Sequence, residues 1–324
     1  MNVPERIDTA GRTSLVHPVA SASTGYYGRP LLKKPVWTWE IPIYFFIGGA
    51  AGAAALIAEI ASLCRADQRL VRDARRIAAA GGMLAPVLLV SDLGRPERFL
   101  YMLRVFKPQS PMSAGVWTVL SFSNAAALAA GIDVAPRRVR TSWIGRVVGR
   151  LISATAAATG LGMSTYTGVL LGVTAIPVWR QHVRLLPLHF AFSGVATASS
   201  ILQLLGHRER ALHRLALMAA AVETGVGAVL ESGGSASNDP LRHGRSGRLM
   251  RAAGLLSGPI PLALRILGRR SRVLTFAAAA SAVAGSLLTR LAWIEAGGTS
   301  AQDPGIPLAL EKKGREKRGQ SPFW

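Results

Sequence analysis

The sequence predicts an all-α, polytopic membrane protein. Half of the 324 residues are hydrophobic and 17% are charged, whereas about a quarter of the residues in a soluble domain are charged. The apolar residues form long runs instead of alternating with polar ones, which argues against the strands of an outer-membrane barrel. Long apolar runs separated by arginine-rich gaps are typical of transmembrane helices.

Eight apolar segments can be drawn as membrane spans, because a helix needs about 20 residues to cross a core of roughly 30 Å. They lie at 41–63, 74–91, 113–131, 150–173, 186–206, 210–231, 249–268 and 273–294. Eight helices suit two four-helix bundles. The predicted domains are a polar N-terminal extension at 1–36, a transmembrane domain at 37–295 and a basic, disordered tail at 296–324.

The basic residues of the loops predict the orientation of the chain. With the N-terminus outside, the four inner loops hold 16 basic residues and the three outer loops hold 10. These loops are 64–76, 132–150, 206–214 and 268–272 inside, and 92–112, 174–187 and 232–251 outside. Basic residues favour the cytoplasmic side, so we expect both termini on the periplasmic side of a bacterial inner membrane.

The net charge of +21 does not indicate nucleic-acid binding. The basic residues lie in the gaps between apolar runs and form no stripe interleaved with aromatic residues. Acidic lipid headgroups are the electrostatic partner that this distribution fits.

The start of the first apolar segment combines aromatic and acidic residues. Trp37 and Trp39 suit an interfacial aromatic belt, and Glu40, Tyr44 and Gly48 share one helix face. A carboxylate that takes a proton and a phenol that donates a hydrogen bond could hold a quinone headgroup there. Anchoring aromatic residues beside a solvated Glu40 fit the same pattern equally well.

The loop after the second segment is too structured in composition for a passive linker. Asp92 and Arg95 could form an ion pair, with a turn between them at Gly94 and Pro96. The mixture of basic and aromatic residues that follows suits a docking surface on the membrane, or an interfacial helix without a partner. The residues that we assign to a partner interface are Gly94, Pro96, Arg98, Phe99, Arg104 and Lys107.

Several polar residues fall at membrane depth, where they are costly unless they face the protein interior. Tyr166, in a hydroxyl-rich stretch of the fourth segment, could reach a ligand. Glu59, Glu223 and Glu231 are candidates for a proton pathway, because burial favours the neutral carboxyl group that a proton carrier needs. Glu223 could instead pair with Arg290 of the last segment.

Glycines recur at helical spacing in the first and fourth segments. Gly48 and Gly52 are spaced as GxxxG, with Gly49 between them, and Gly160 and Gly168 belong to a second group. Small residues of this kind let helix backbones approach closely in lipid. We therefore predict helix–helix packing at these positions.

The single cysteine and the placement of the histidines limit the cofactors of the chain. One cysteine, Cys64, permits neither an internal disulfide nor a cysteine-ligated cluster. Only His189 falls clearly inside a span, whereas a b-type haem needs paired axial histidines. We therefore predict that the chain itself binds no haem and no metal.

The most specific pattern is the ungapped run Asp-Leu-Gly-Arg-Pro-x-Arg-Phe at 92–99, continuing to Met-Leu-Arg-Val-Phe-Lys-Pro-x-Ser-Pro-Met-Ser at 102–113. It is accompanied by Trp-x-Trp-x-Ile-Pro-x-Tyr-Phe-Phe-x-Gly-Gly-x-x-Gly at 37–52. Similar runs are Thr-Tyr-Thr-Gly-Val-Leu-Leu at 165–171 and Leu-Pro-Leu-His-Phe-Ala-Phe-Ser at 186–193. Together these stretches resemble the NrfD/PsrC family of polysulfide-reductase-like membrane subunits.

The resemblance implies about eight helices, no haem, and a ferredoxin-like subunit with 4Fe–4S clusters that relays electrons to or from a molybdopterin catalytic subunit. It implies exchange of electrons with menaquinone or ubiquinone near the face that meets the iron–sulfur subunit. The quinone neighbourhood carried over from the family is Trp39, Tyr44, Asp92, Arg95 and Tyr166, and the carboxylate chemistry of Glu40 adds this residue to it. The tyrosines would contact the headgroup, Asp92 and Glu40 would accept protons, and Arg95 and Trp39 would orient it.

Two other functions remain compatible with the sequence. A proton-coupled transporter would use Glu223 as its coupling site and is expected to have broken helices in matched halves. Only the run Gly-Pro-Ile-Pro at 258–261 suggests such a break. A purely structural membrane anchor would leave Glu40, Tyr44 and Tyr166 without a role.

Overall fold

The computed structural model describes residues 32–232, 238–268 and 271–302, and these ranges form helices without any strand. The helices are α1 Glu40–Leu63, α2 Gln68–Ser91, α3 Arg98–Met102, α4 Pro111–Val134, α5 Arg137–Thr141, α6 Trp143–Gly172, α7 Pro177–Gln181, α8 Leu185–Leu204, α9 Arg210–Ser232, α10 Asp239–Arg242, α11 Gly244–Ser257, α12 Pro259–Leu267 and α13 Arg272–Gln302. The predicted all-α class is confirmed.

Six of the described helices are long and apolar enough to cross a membrane: α1, α2, α4, α8, α9 and α13. The chain is therefore a multi-pass membrane protein. The predicted segment 150–173 lies in α6 except for its last residue. Helix α6 is not among the six candidate spans, and its second half is rich in hydroxyl groups and glycines. The count of eight spans stays a prediction.

The predicted segment 249–268 is not one continuous helix. It divides at Gly258 into α11 and α12, because Pro259 and Pro261 have no backbone N–H to continue the hydrogen-bond ladder. Pro259 instead occupies the first turn of α12, where its missing N–H costs nothing. The break brings Arg265 into the protein, where it donates to Ser200 Oγ at 2.9 Å.

The long helices alternate in direction, so their connections collect at two ends of the bundle. We call the end where α1 begins the proximal end and the end where α1 finishes the distal end. At the proximal end, Thr38 Oγ1 lies 2.6 Å from Asp92 Oδ1. At the distal end, His207 Nε2 lies 3.0 Å from Asp73 Oδ2.

Two groups of helices are joined through α8. Helices α1, α2, α4 and α6 pack on one another, while α11 and α12 pack on α13 and α9 packs on α11 and α12. Helix α8 contacts α1 and α6 as well as α9 and α13. The division into two four-helix bundles stays a prediction.

Glycines set the closest helix contacts, as the sequence predicted. A Cβ on Gly160 of α6 would lie 2.7 Å from the carbonyl oxygen of Gly52 on α1. A Cβ on Gly194 of α8 would lie 2.6 Å from the carbonyl oxygen of Gly49. Helix α1 is therefore held between α6 and α8 by contacts that leave no room for a side chain.

The segments flanking the helical domain are described only in part. Residues 1–31 of the predicted extension and 303–324 of the predicted tail lie outside the described residues. Helix α13 continues to Gln302, eight residues beyond the end predicted at 294.

The two tryptophans ahead of α1 have different environments. Trp37 stacks on Trp179 with ring centroids 5.2 Å apart, whereas Trp39 is 65% exposed, as a residue of an interfacial belt would be.

Candidate functional site

A hydrogen-bonded group at the proximal end joins the start of α1 to the end of α2. The Thr38 hydroxyl contacts both Glu40 and Asp92, and the Thr38 backbone N–H donates to Asp92 Oδ1 at 3.4 Å. The structure thus brings together two of the predicted quinone-site carboxylates. Thr38, which bridges them, was missed by the sequence analysis, although it lies between Trp37 and Trp39 in the motif.

The suggested ion pair between Asp92 and Arg95 does not form. Asp92 faces α1, whereas the chain turns away through Gly94, which has a φ of +65°, and the Arg95 side chain is exposed. The turn predicted at Gly94 and Pro96 is confirmed. Glycine is suited to this position because it adopts a positive φ without a steric cost.

An apolar groove opens at the same end of α2 as Asp92. It has a volume of about 530 Å³ and is lined by Pro86, Val87, Val90, Ser91, Gly94 and Pro96. The lining residues belong to the last turns of α2 and to the turn that follows. The groove therefore offers a surface that suits an apolar ring or chain, at the end of α2 that carries Asp92.

The two predicted tyrosines lie deeper in the protein. Tyr44 is 2% exposed and is close enough to Tyr166 for an electrostatic interaction. The Tyr166 hydroxyl donates to the carbonyl oxygen of Pro111 at 2.8 Å, and its ring packs against Gly115 of α4. Tyr166 therefore already uses its donor within the protein and retains only its oxygen as an acceptor.

The predicted partner-interface residues lie on the proximal surface between α2 and α4. The Arg98, Arg104 and Lys107 side chains are exposed, and Phe99 is half-buried. Large apolar side chains stand beside them, including Tyr101 at 63% exposed. The surface thus combines positive charge with exposed aromatic groups, and its partner stays a prediction.

A second candidate site lies among α8, α9, α11 and α13. Glu223 is 1% exposed, and its Oε2 is 3.8 Å from His189 Nε2. Neither side chain makes a hydrogen bond of ordinary geometry to a described residue, although the Ser257 hydroxyl lies close enough to Glu223 to interact with it. A cavity of about 230 Å³, to which Ser257 and Thr289 contribute hydroxyl groups, adjoins both of them and has room for several water molecules.

Arg290 approaches this site from α13 without forming a direct ion pair with Glu223. Its guanidinium carbon lies 3.8 Å from the centre of the Phe190 ring, and its Nη2 donates to the Phe190 carbonyl oxygen at 3.0 Å. It remains close enough to Glu223 for an electrostatic interaction. Sequence reasoning considered His189 only as a haem ligand and did not pair it with Glu223.

The other two predicted proton-pathway residues are not joined to Glu223. Glu59 adjoins a different and much smaller cavity together with Arg75 and Ser153. Arg75 donates to Ser153 and forms an ion pair with Asp133 at 2.7 Å. The Glu231 side chain lies outside the described residues.

Comparison with known proteins agrees with the resemblance noted from the motifs. No curated protein matches the chain. The family model described as polysulphide reductase, NrfD, matches residues 31–228. This match covers more than half of the chain, and it includes the Thr38–Asp92 group, both tyrosines, His189 and Glu223. The chain therefore belongs to the NrfD polysulphide reductase family.

Proposed function

We propose that the chain is the quinone-reactive membrane subunit of a respiratory oxidoreductase. It exchanges electrons between a membrane quinone and an extrinsic iron–sulfur subunit at the proximal end. The observation that carries this proposal is the pair of carboxylates, Glu40 and Asp92, bridged by Thr38 at the end of α2 where an apolar groove opens.

The chemistry of quinol oxidation fits these residues. The reaction releases two protons and two electrons, and a carboxylate near the reacting oxygens can accept a proton. The apolar lining of the groove favours a quinone ring and its isoprenoid tail, because burial of apolar surface is favourable. Exposed basic and aromatic residues on the same end offer a surface for the iron–sulfur partner, and a molybdopterin catalytic subunit completes the proposed complex.

Binding of a quinone analogue to the purified protein, measured by quenching of tryptophan fluorescence, tests the site. We expect saturable binding that Asp92→Asn and Thr38→Val each weaken about tenfold, the effect of losing one hydrogen bond to a charged group. Tyr44→Phe tests whether the buried phenol contributes. Glu97→Gln is the matched control, because Glu97 is an exposed carboxylate of the same loop outside the hydrogen-bonded group.

Equal affinity in wild type, Asp92→Asn and Thr38→Val would contradict the proposed position of the site. Absence of binding even after addition of the iron–sulfur partner would favour a structural anchor.

A second candidate, a proton-coupled transporter, is favoured by one observation: the break between α11 and α12 adjoins the Glu223 cavity. Substrate uptake by proteoliposomes that depends on Glu223 would support that candidate instead.

A further inference from the structure

The distal end contains a basic cavity that the proposed redox site does not use. It has a volume of about 430 Å³ and lies between the α8–α9 connection and the start of α13. Its lining residues are Gln203, His207, Arg208, Arg210, His213, Arg214, Ser271, Arg272 and Thr275. The lining thus includes four arginines and several hydrogen-bond donors, and it includes no carboxylate.

The arginines of this cavity differ from others at the same end of the protein. Arg75 and Arg76 form ion pairs with Asp133 and Asp73, whereas none of the four cavity arginines forms an ion pair with a described residue. The nearest acidic groups are already engaged, because His207 contacts both Asp73 and Glu209 at 3.0 and 3.5 Å. The four arginines therefore concentrate positive charge in the lining, and the carboxylates of Asp73 and Glu209 approach the cavity at His207.

Two long helices begin at the cavity. Helix α9 begins at Arg210 and α13 begins at Arg272, so the partial positive charges of both N-termini add to those of the arginines. Ser271, ahead of α13, accepts a hydrogen bond from the Leu274 backbone N–H at 3.3 Å. Backbone N–H groups and guanidinium groups are the donors that bind phosphate oxygens.

One side of the cavity adjoins apolar surface. On α13, the lining residues Arg272 and Thr275 are followed directly by Val273 and Phe276, which are 75% and 62% exposed. An exposed valine and phenylalanine on a membrane-spanning helix are suited to contact with lipid chains. A ligand with a phosphate group and hydrocarbon chains would contact both the basic lining and the apolar surface of α13. A free phosphate would contact only the basic lining.

We propose that the distal cavity binds the phosphate group of an anionic phospholipid. The guanidinium groups of Arg210 and Arg272 hold the phosphate oxygens, and the acyl chains lie along the outer surface of α13. The site is independent of the proximal carboxylates, so failure of one proposal leaves the other unaffected.

Native mass spectrometry of the purified full-length protein with added phosphatidylglycerol, phosphatidylcholine or inorganic phosphate tests this site. We expect retention of phosphatidylglycerol over phosphatidylcholine, and affinity for phosphatidylglycerol at least about tenfold lower in Arg210→Gln/Arg272→Gln. The matched control is Arg137→Gln/Arg138→Gln, which removes the same charge from exposed residues of α5 outside the cavity. An unchanged thermal transition shows that each variant is folded.

Equal weakening in both double variants would overturn the proposal, since it would indicate a general effect of surface charge. Inorganic phosphate could instead compete with phosphatidylglycerol while the protein retains phosphatidylglycerol and phosphatidylcholine equally. That result would assign the cavity to a soluble phosphate compound and would overturn the lipid assignment.

Arg272→Lys separates the effect of charge from the effect of guanidinium geometry. It retains the charge but loses the planar guanidinium, so we expect affinity between those of wild type and the double variant.

Discussion

The Glu223 carboxyl group is buried inside the protein. It adjoins the cavity of about 230 Å³ that Ser257 and Thr289 also line. Its carboxylate lies 3.8 Å from His189, and Arg290 contributes positive charge from α13. A buried acid is costly unless its charge is compensated or it is neutral. Acid, imidazole and cavity adjoin one another, and on this arrangement the proton-pathway role of Glu223 stays a prediction.

Glu223→Gln is therefore expected to lower the number of protons moved per electron. Glutamine retains the shape of the side chain but cannot bind or release a proton. The measurement is the ratio of proton release to quinol oxidation in proteoliposomes that contain the assembled complex. Glu295→Gln, which changes an exposed acid of α13, should leave the ratio unchanged. An unaltered ratio in Glu223→Gln would remove this residue from any proton pathway.

At the scale of helices, the position of α1 depends on glycines more than on bulky side chains. Helix α1 is rich in alanine and glycine, and most of its residues are buried. Its contacts with α6 and α8 bring backbone atoms close together at Gly52 and Gly49. Because lipid is as apolar as the side chains, such close packing is a main source of helix association in a membrane.

Gly160→Ala is expected to destabilise the contact between α1 and α6 by about 1–3 kcal/mol, the usual cost of overpacking. The added methyl group would meet the Gly52 backbone, which cannot rotate away as a flexible side chain can. Thermal unfolding in detergent measures the effect. Gly131→Ala is the control, since a Cβ there meets no atom within 4 Å, and alanine favours a helix. Equal transition temperatures for both variants would contradict the proposed close contact.

The whole molecule presents two chemically different ends. The proximal end has bridged carboxylates, an apolar groove and exposed aromatic residues, whereas the distal end has arginine-rich connections and a basic cavity. The distal connections correspond to the loops that the sequence places on the inner side. The difference between the ends therefore predicts a proximal end on the periplasmic side and a distal end on the cytoplasmic side.

Cys64, the only cysteine of the chain, reports this orientation directly. It is exposed at the distal end, so a membrane-impermeant maleimide should label it in inverted vesicles and not in right-side-out spheroplasts. Cys64→Ser combined with Gln109→Cys moves the label to the exposed connection before α4 and should reverse the result. Labelling of Cys64 in intact spheroplasts would invert the proposed topology.

The sequence by itself determined the class of the protein and the position of its most specific motif. Apolar runs predicted the helices because a backbone in lipid must satisfy its hydrogen bonds internally. The run from Asp92 to Phe99 carried the family resemblance, and the family match confirms it. Local chemistry also predicted the turn at Gly94 and the packing at the glycines, because both depend on the absence of a side chain at a known position.

Only the tertiary structure decided which polar groups meet. Thr38 and Asp92 are 54 residues apart in sequence, and His189 and Glu223 lie on different helices, so no local pattern pairs them. The separation of Asp92 from Arg95 followed from the direction of a turn, which residue spacing does not specify. The basic cavity likewise depends on two connections that are distant in sequence. These contacts are set by the way the helices pack, and packing is a property of the whole chain.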